Sequence, residues 1–222
     1  AEETPKAGNE PASQDNLEVM LLLARGMEKP GKDEEETRRN AEEALRIYRK
    51  MLEVGAKDEL KRKALFGIGR CEMTLGRLWT AFLAIEKSFP PKVDAEAVTR
   101  RVRLEYDIAK RLWARGDDPI SDPDSGKSLS AVEAASRVFR AIVYNDPHFA
   151  KAPKALLGLG DCRAALQDWS GAEEAYRHLI ANYRPGRETL EAKAALAGVL
   201  ARAASADRME GERFDEIKSL LA

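Results

Sequence analysis

The sequence is poor in the residue types that carry most protein chemistry. Its 222 residues include two cysteines and two histidines, and aromatic residues make up only 6%. Two cysteines cannot build a disulfide framework. The histidines, His148 and His178, lack the i,i+4 spacing and accompanying carboxylate of a zinc-hydrolase helix, so no metal site is expected. A charge excess is missing too. Lys and Arg total 37 against 38 Asp and Glu, a formal net charge of -1. That balance excludes the broadly basic surface that a general grip on nucleic acid needs. The longest apolar run, Val19 to Ala24, falls far short of the ~20 residues that span a bilayer. What remains is 44% hydrophobic and 34% charged. That is enough apolar material for a substantial core under a heavily solvated exterior.

Residues 1-16 (AEETPKAGNEPASQDN) are polar, contain proline and show no apolar period. They read as a disordered leader ahead of a folded domain over 17-222. Such a leader often follows a removed export signal. The expected location is therefore periplasmic or outer-membrane associated, with a cytoplasmic chain as the alternative. Membrane association would require an anchor upstream of Ala1.

Overlaying the chain on itself reveals a repeat. Lys63-Ala-Leu-Phe-Gly-Ile-Gly-Arg-Cys71 matches Lys154-Ala-Leu-Leu-Gly-Leu-Gly-Asp-Cys162, with six of nine positions identical and two more swapping apolar for apolar. Twelve residues after Gly69 comes Ala81, and twelve after Gly160 comes Ala172; each alanine is followed four positions on by a large residue, Ile85 or Tyr176. The same alanine-to-large step recurs at Ala44/Tyr48 and Ala135/Phe139, with Pro147 twelve residues after Ala135. Cys71 and Cys162 fall at matching places, so each reads as a small buried apolar residue, not as half of a disulfide.

This spacing resembles the tetratricopeptide (TPR) repeat, a helix–turn–helix unit with small residues where its helices touch. The resemblance implies a right-handed, all-α solenoid. Along the chain we expect about five TPR-like helix pairs: Gln14 to Met27 with Glu36 to Val54; Asp58 to Leu75 with Arg77 to Ser88; Asp94 to Arg115 with Ser128 to Tyr144; Phe149 to Leu166 with Ser170 to Tyr183; Glu188 to Ser205 with Met209 to Leu221. Gly198 is expected to take the small position in the last pair. No strand is expected. The long connections Glu28 to Asp33 and Gly116 to Lys127 are expected to project from one edge, as a secondary contact surface.

The remaining chemical motifs read as structural. Gly67-x-Gly69 and Gly158-x-Gly160 imitate a dinucleotide fingerprint but sit inside helices in duplicate, which points to packing. Gly126-Lys127-Ser128 lacks the earlier glycine of a phosphate loop. Asp117, Asp118, Asp122 and Asp124 are out of register for an EF-hand. Lys61-Arg-Lys63 and the arginines at 100, 101 and 103 have acidic neighbours and read as solvated helix faces. Trp79, Trp113 and Trp169 read as packing residues.

In TPR stacks the first helix of each pair lines a concave groove. The resemblance therefore assigns Lys63, Phe66, Arg70 and Met73, with Lys154, Leu157, Asp161 and Ala164, to a partner-binding face suited to a protein or peptide ligand. The repeat style, carried by Asp146-Pro147, Ala152 and Lys154 to Asp161, is also similar to the TPR lipoprotein family of outer-membrane β-barrel assembly. The expectation is a non-catalytic scaffold of the bacterial cell envelope without cofactors, catalytic residues or nucleic-acid partner. The alternatives are an enzyme or metal-binding protein using the acidic loop 117-124, and a self-associating structural array.

Overall fold

The computed structural model describes residues 13–89, 95–206 and 211–221. Among these, ten helices and one two-stranded hairpin form. The chain divides into two compact units, 1–93 and 94–222. The first holds α1 (Gln14–Met27), α2 (Glu34–Glu53), α3 (Asp58–Thr74) and α4 (Leu78–Ser88). The second holds α5 (Ala95–Trp113), β1 (Pro119–Ser121), β2 (Ser128–Ser130), α6 (Ala131–Asn145), α7 (Ala152–Ala165), α8 (Trp169–Asn182), α9 (Arg187–Ala206) and α10 (Gly211–Leu221).

Within each unit the helices are stacked TPR-like pairs. In the first, α2 packs on both α1 and α3, α3 packs on α4, and α1 also touches α3. In the second, α5 packs on α6, α6 on α7, α7 on α8, α8 on α9 and α9 on α10, while α7 also touches α9. Contacts between successive first helices (α1 to α3, α7 to α9) are what stacking requires, since one pair cannot bury its apolar faces alone.

Local chemistry fixes the helix ends. Asp33 caps α2 by accepting the Glu36 N–H at 2.7 Å, ahead of an acidic first turn that favours the helix dipole. Ser130 and Glu133 form a reciprocal capping box on α6. α3 ends at Gly76, left-handed at φ 77°, with the Arg77 N–H donating to the Glu72 carbonyl at 2.9 Å. α7 ends the same way at Gln167, left-handed at φ 60°, with the Asp168 N–H donating to the Arg163 carbonyl at 2.9 Å. These two turns close the short connections that the expected helix bounds leave between Leu75 and Arg77 and between Leu166 and Ser170.

The repeated Gly-x-Gly is a packing device with two sockets. A methyl group added at Gly69 would lie 2.5 Å from Ile85 Cγ1 and 3.2 Å from the Ala81 carbonyl oxygen. α3 and α4 therefore approach closely at the glycine and alanine that the spacing pairs. At Gly160 the added methyl would collide with the ring of Tyr176 on α8. The other glycine of each motif faces the preceding pair. Gly67 seats the ring of Tyr48 from α2, and a methyl at Gly158 would lie 2.8 Å from the ring of Phe139 on α6. The four large residues that follow the repeat alanines each fill one glycine socket. All four are buried, as are Cys71 and Cys162, which are free thiols. Burial pushes both thiols up to about 12.

Three expectations change. Gly198 is exposed, and a methyl added there meets no described atom, so the fifth pair does not repeat the socket. The connection after α5 is not a plain loop. It forms an antiparallel hairpin in which Ile120 faces Leu129, and α6 starts at Ala131 instead of Ser128. Strands of three residues are too short to show alternation in the sequence. At the front, Gln14 to Asn16 already belong to α1, with Ser13 Oγ accepting the Asn16 N–H at 3.3 Å. The rest of the expected leader (1–12), together with Pro90, Pro91, Asp94 and Met209, lies outside the described residues. Among the described residues no helix is long and apolar enough to cross a membrane.

Candidate functional site

The two sets of sequence-assigned groove residues have different surroundings. In the first unit, Arg70 is committed internally. Its guanidinium pairs with the Glu28 carboxylate at 2.6 Å, Tyr48 O–H donates to the same carboxylate, and the arginine lies over the Phe66 ring at 5.3 Å. Phe66 packs edge-on against Phe89 with centroids 5.8 Å apart. Burial and the neighbouring Glu28 charge hold the Tyr48 phenol well above its usual range. Lys63 pairs along its own helix with Glu59 at 2.6 Å, and Met73 is half-buried. Arg70 thus ties α3 to the connection after α1.

In the second unit three of the four assigned residues meet around one hollow. Lys154, Leu157 and Asp161 of α7, with Gly158, form its floor; Tyr106 and Trp113 of α5 stand on one side; Arg187, Glu188 and Glu191 of α9 stand on the other. The hollow measures about 330 Å³. All three helices are first members of their pairs, as the groove requires. The fourth assigned residue, Ala164, packs instead against the core beneath.

The charges in this hollow are largely matched. Lys154 lies 3.6 Å from Glu188, and Arg187 Nε donates to Glu191 at 2.8 Å. Among the described residues no cation pairs with Asp161. Its Oδ1 accepts the Tyr176 O–H at 2.7 Å. Burial pushes its carboxyl above the usual range, the tyrosine hydrogen bond opposes that, and the negative Glu191 adds to it. Tyr106 is likewise raised, by burial and then by Glu188, while Lys151 sits over its ring at 5.0 Å. The result is an aromatic and aliphatic concavity with a half-buried carboxyl in its floor, bonded to a tyrosine hydroxyl and to no cation among the described residues.

Sequence reasoning missed Tyr106, Trp113, Arg187, Glu188 and Glu191. Val98, Val102, Tyr106, Ala109 and Trp113 recur at helical spacing in the sequence, but Trp113 reads there as packing, whereas 38% of it is exposed. The α9 residues carry no motif and enter only because α9 stacks on α7.

The other candidates resolve into structural roles. Asp122 shapes the hairpin turn, its carboxylate accepting the Ser125 hydroxyl at 2.7 Å and the Asp124 N–H at 3.2 Å. Asp118 pairs with Arg115 at 3.4 Å. His148 and His178 are exposed, and His178 stacks loosely near Tyr183. Arg101 is not a solvated charge; it pairs at 2.6 Å with Glu105, which is fully buried. Trp79 is buried, and Trp169 carries the Arg202 guanidinium 5.5 Å above its ring.

No family model matches this chain, and no curated protein matches it. Solved structures similar to it include MamA, residues 41 to the end, from Desulfovibrio magneticus RS-1, at 16% identity and TM-score 0.43, covering 94% of this chain and 97% of that one. A Podosopora anserina putative kinesin light chain with nearly identical TPR-like repeats matches at 13% identity and TM-score 0.40, over 93% of this chain and 95% of that one. TTC0263, a thermophilic TPR protein of Thermus thermophilus, matches at 17% identity and TM-score 0.32, over 95% and 99% of the respective chains.

Proposed function

We propose that this chain is a non-catalytic protein-interaction scaffold that takes a peptide segment of a partner into the α5–α7–α9 hollow. One observation carries this reading. Lys154, Leu157 and Asp161, assigned to a groove from the repeat alone, converge with Tyr106 and Trp113 on a single concave surface. Aromatic side chains at the edge of a concavity supply anchor area with little rotamer entropy to lose. Asp161 selects the neighbouring ligand residue. A Lys or Arg beside an apolar anchor would restore the charge balance that burial and Glu191 disturb.

The test is selection of displayed peptides on the purified full chain, followed by titration of the selected sequences. The expected peptides pair an apolar residue with a basic one. Trp113→Ala with Leu157→Asp is expected to weaken them on the order of tenfold or more, as loss of a buried anchor does. Affinity should also fall as pH drops through the raised Asp161 pKa, because only the charged carboxylate attracts the cation. Selected peptides without basic residues, or full affinity in the double variant, would reject the hollow as the site. The proposal includes a location in the bacterial cell envelope, supported by the lipoprotein-like repeat segment Asp146 to Asp161. Recovery of the native protein solely from the cytoplasmic fraction would overturn that part.

A further inference from the structure

The outer side of α1 is an apolar surface that the fold leaves open. Val19, Leu22 and Leu23 are 55%, 67% and 54% exposed, while Leu17, Leu21 and Ala24 on the opposite side are buried in the core of the first unit. The spacing i, i+3, i+4 sets the three exposed side chains on one face. Gly26, four residues after Leu22, extends that face as bare backbone, since a methyl added there meets no described atom. Stacking covers the upstream side of later first helices: α3 is met by α2 and α7 by α6, each the second helix of the preceding pair. Among the described residues no helix precedes α1. The end of a helical array needs a polar outer face to stay dispersed. α1 presents aliphatic side chains instead. Residues 1–12 contain no Val, Leu, Ile, Met or aromatic residue with which to cover them.

The charges on α1 say what fits this face. Acids lie in its first half, Asp15 and Glu18, and bases follow its middle, Arg25 and, just past the helix end, Lys29; all four are exposed. Residues seven apart fall nearly two whole turns apart, so Glu18 and Arg25 border the apolar face on the same flank. Laid antiparallel against a second α1, with Leu22 meeting Leu23 of the other copy, the pattern is self-complementary. Val19 then lies opposite Gly26, large against small, with Glu18 beside Arg25 and Asp15 towards Lys29. A parallel arrangement would set like charges together.

We infer that α1 is a self-association surface, on which a second copy of this chain docks its own α1 antiparallel about a two-fold axis. A lipid surface fits less well, because anionic headgroups repel Asp15 and Glu18. A face one helix long is small for an interface, so the dimer is weak and depends on concentration. The assignment is independent of the α5–α7–α9 hollow, which lies in the other unit.

The experiment is sedimentation of the full chain at low salt over a series of protein concentrations, with thermal melting of each variant to monitor folding. The parent should pass from monomer to dimer as its concentration rises. Leu22→Glu should weaken the dimer on the order of tenfold or more. Glu18→Arg and Arg25→Glu should each weaken it on the order of tenfold, because the two-fold axis repeats each like-charge contact. Mixed in equal amounts, these two variants should recover the parent's affinity, since the arginines of one copy then lie beside the glutamates of the other. Neither a folding defect nor a different interface gives that recovery. A mixture that associates no better than its components, or association undiminished in Leu22→Glu, would overturn the inference. So would a parent that stays monomeric throughout, and its binding to phosphatidylcholine vesicles would then assign the face to a membrane.

Discussion

The helix pairs α3/α4 and α7/α8 share their packing and invert their polar chemistry. Both place a glycine against the large residue of their own second helix and another against the large residue of the preceding pair. Both bury a cysteine at the same register. The residues flanking that cysteine have exchanged sign: Arg70 and Glu72 in one pair, Asp161 and Arg163 in the other. Each version has its own partners. Glu72 is fully buried between Arg49 at 2.8 Å and Arg77 at 3.3 Å, while Arg163 reaches Glu174 at 3.1 Å and the Gly171 carbonyl at 2.8 Å. Arg70 holds Glu28, and Asp161 holds Tyr176. The backbone approach is the invariant of this architecture, and the polar positions are free to change provided a counter-group changes with them. The two versions differ in the charge of that partner: Arg70 is matched by the Glu28 carboxylate, whereas Asp161 is held by a tyrosine hydroxyl and by no cation among the described residues.

The comparison can be broken most forcefully at the shared element. Gly67→Leu and Gly160→Leu should each overpack an aromatic socket and cost about 3 kcal/mol or more, read as a lowered thermal midpoint. Gly198→Ala, which meets nothing, should instead gain about 0.5–1 kcal/mol from helix propensity. Equal effects at socketed and open glycines would refute the packing account.

The polar half is probed by transplanting one pair's charges into the other. Arg70→Asp with Glu72→Arg sets a carboxylate against Glu28 and a third arginine between Arg49 and Arg77. A loss of about 2–4 kcal/mol in urea unfolding is expected. A variant as stable as the parent would mean that the partners are incidental.

The smallest difference lies at the tight turns, where Gly76 and Gln167 hold the same left-handed conformation. Gln167→Gly should stabilise by about 1 kcal/mol, and Gly76→Gln should destabilise by a similar amount. Shifts of the same sign would show that the two turns are not equivalent.

How far the sequence could be read follows the same division. The glycines, alanines and large residues that set the backbone approach lie within one repeat and at fixed spacing. They announced the helical pairs and three residues of the hollow. The polar partners did not show, because they come from far along the chain. Glu28 reaches Arg70 across 42 positions, and Arg49 reaches Glu72 across 23. Glu188 and Glu191 became part of the site through stacking of α9 on α7, which no local pattern encodes. The hairpin after α5 escaped for a different reason: its strands are fixed by the Asp122 turn and Gly126, left-handed at φ 68°, and not by hydrophobic alternation.

The most direct check is the proton NMR spectrum of the repeat glycines. Aromatic rings seated face-on over a backbone shield the protons beneath them. The Hα resonances of Gly67, Gly158 and Gly160 should therefore move upfield, under Tyr48, Phe139 and Tyr176, while Gly69, opposite Ile85, and the open Gly198 keep ordinary shifts. Ordinary shifts at all five glycines would mean that the rings are not in their sockets, and neither the stacked pairs nor the hollow built on them would stand.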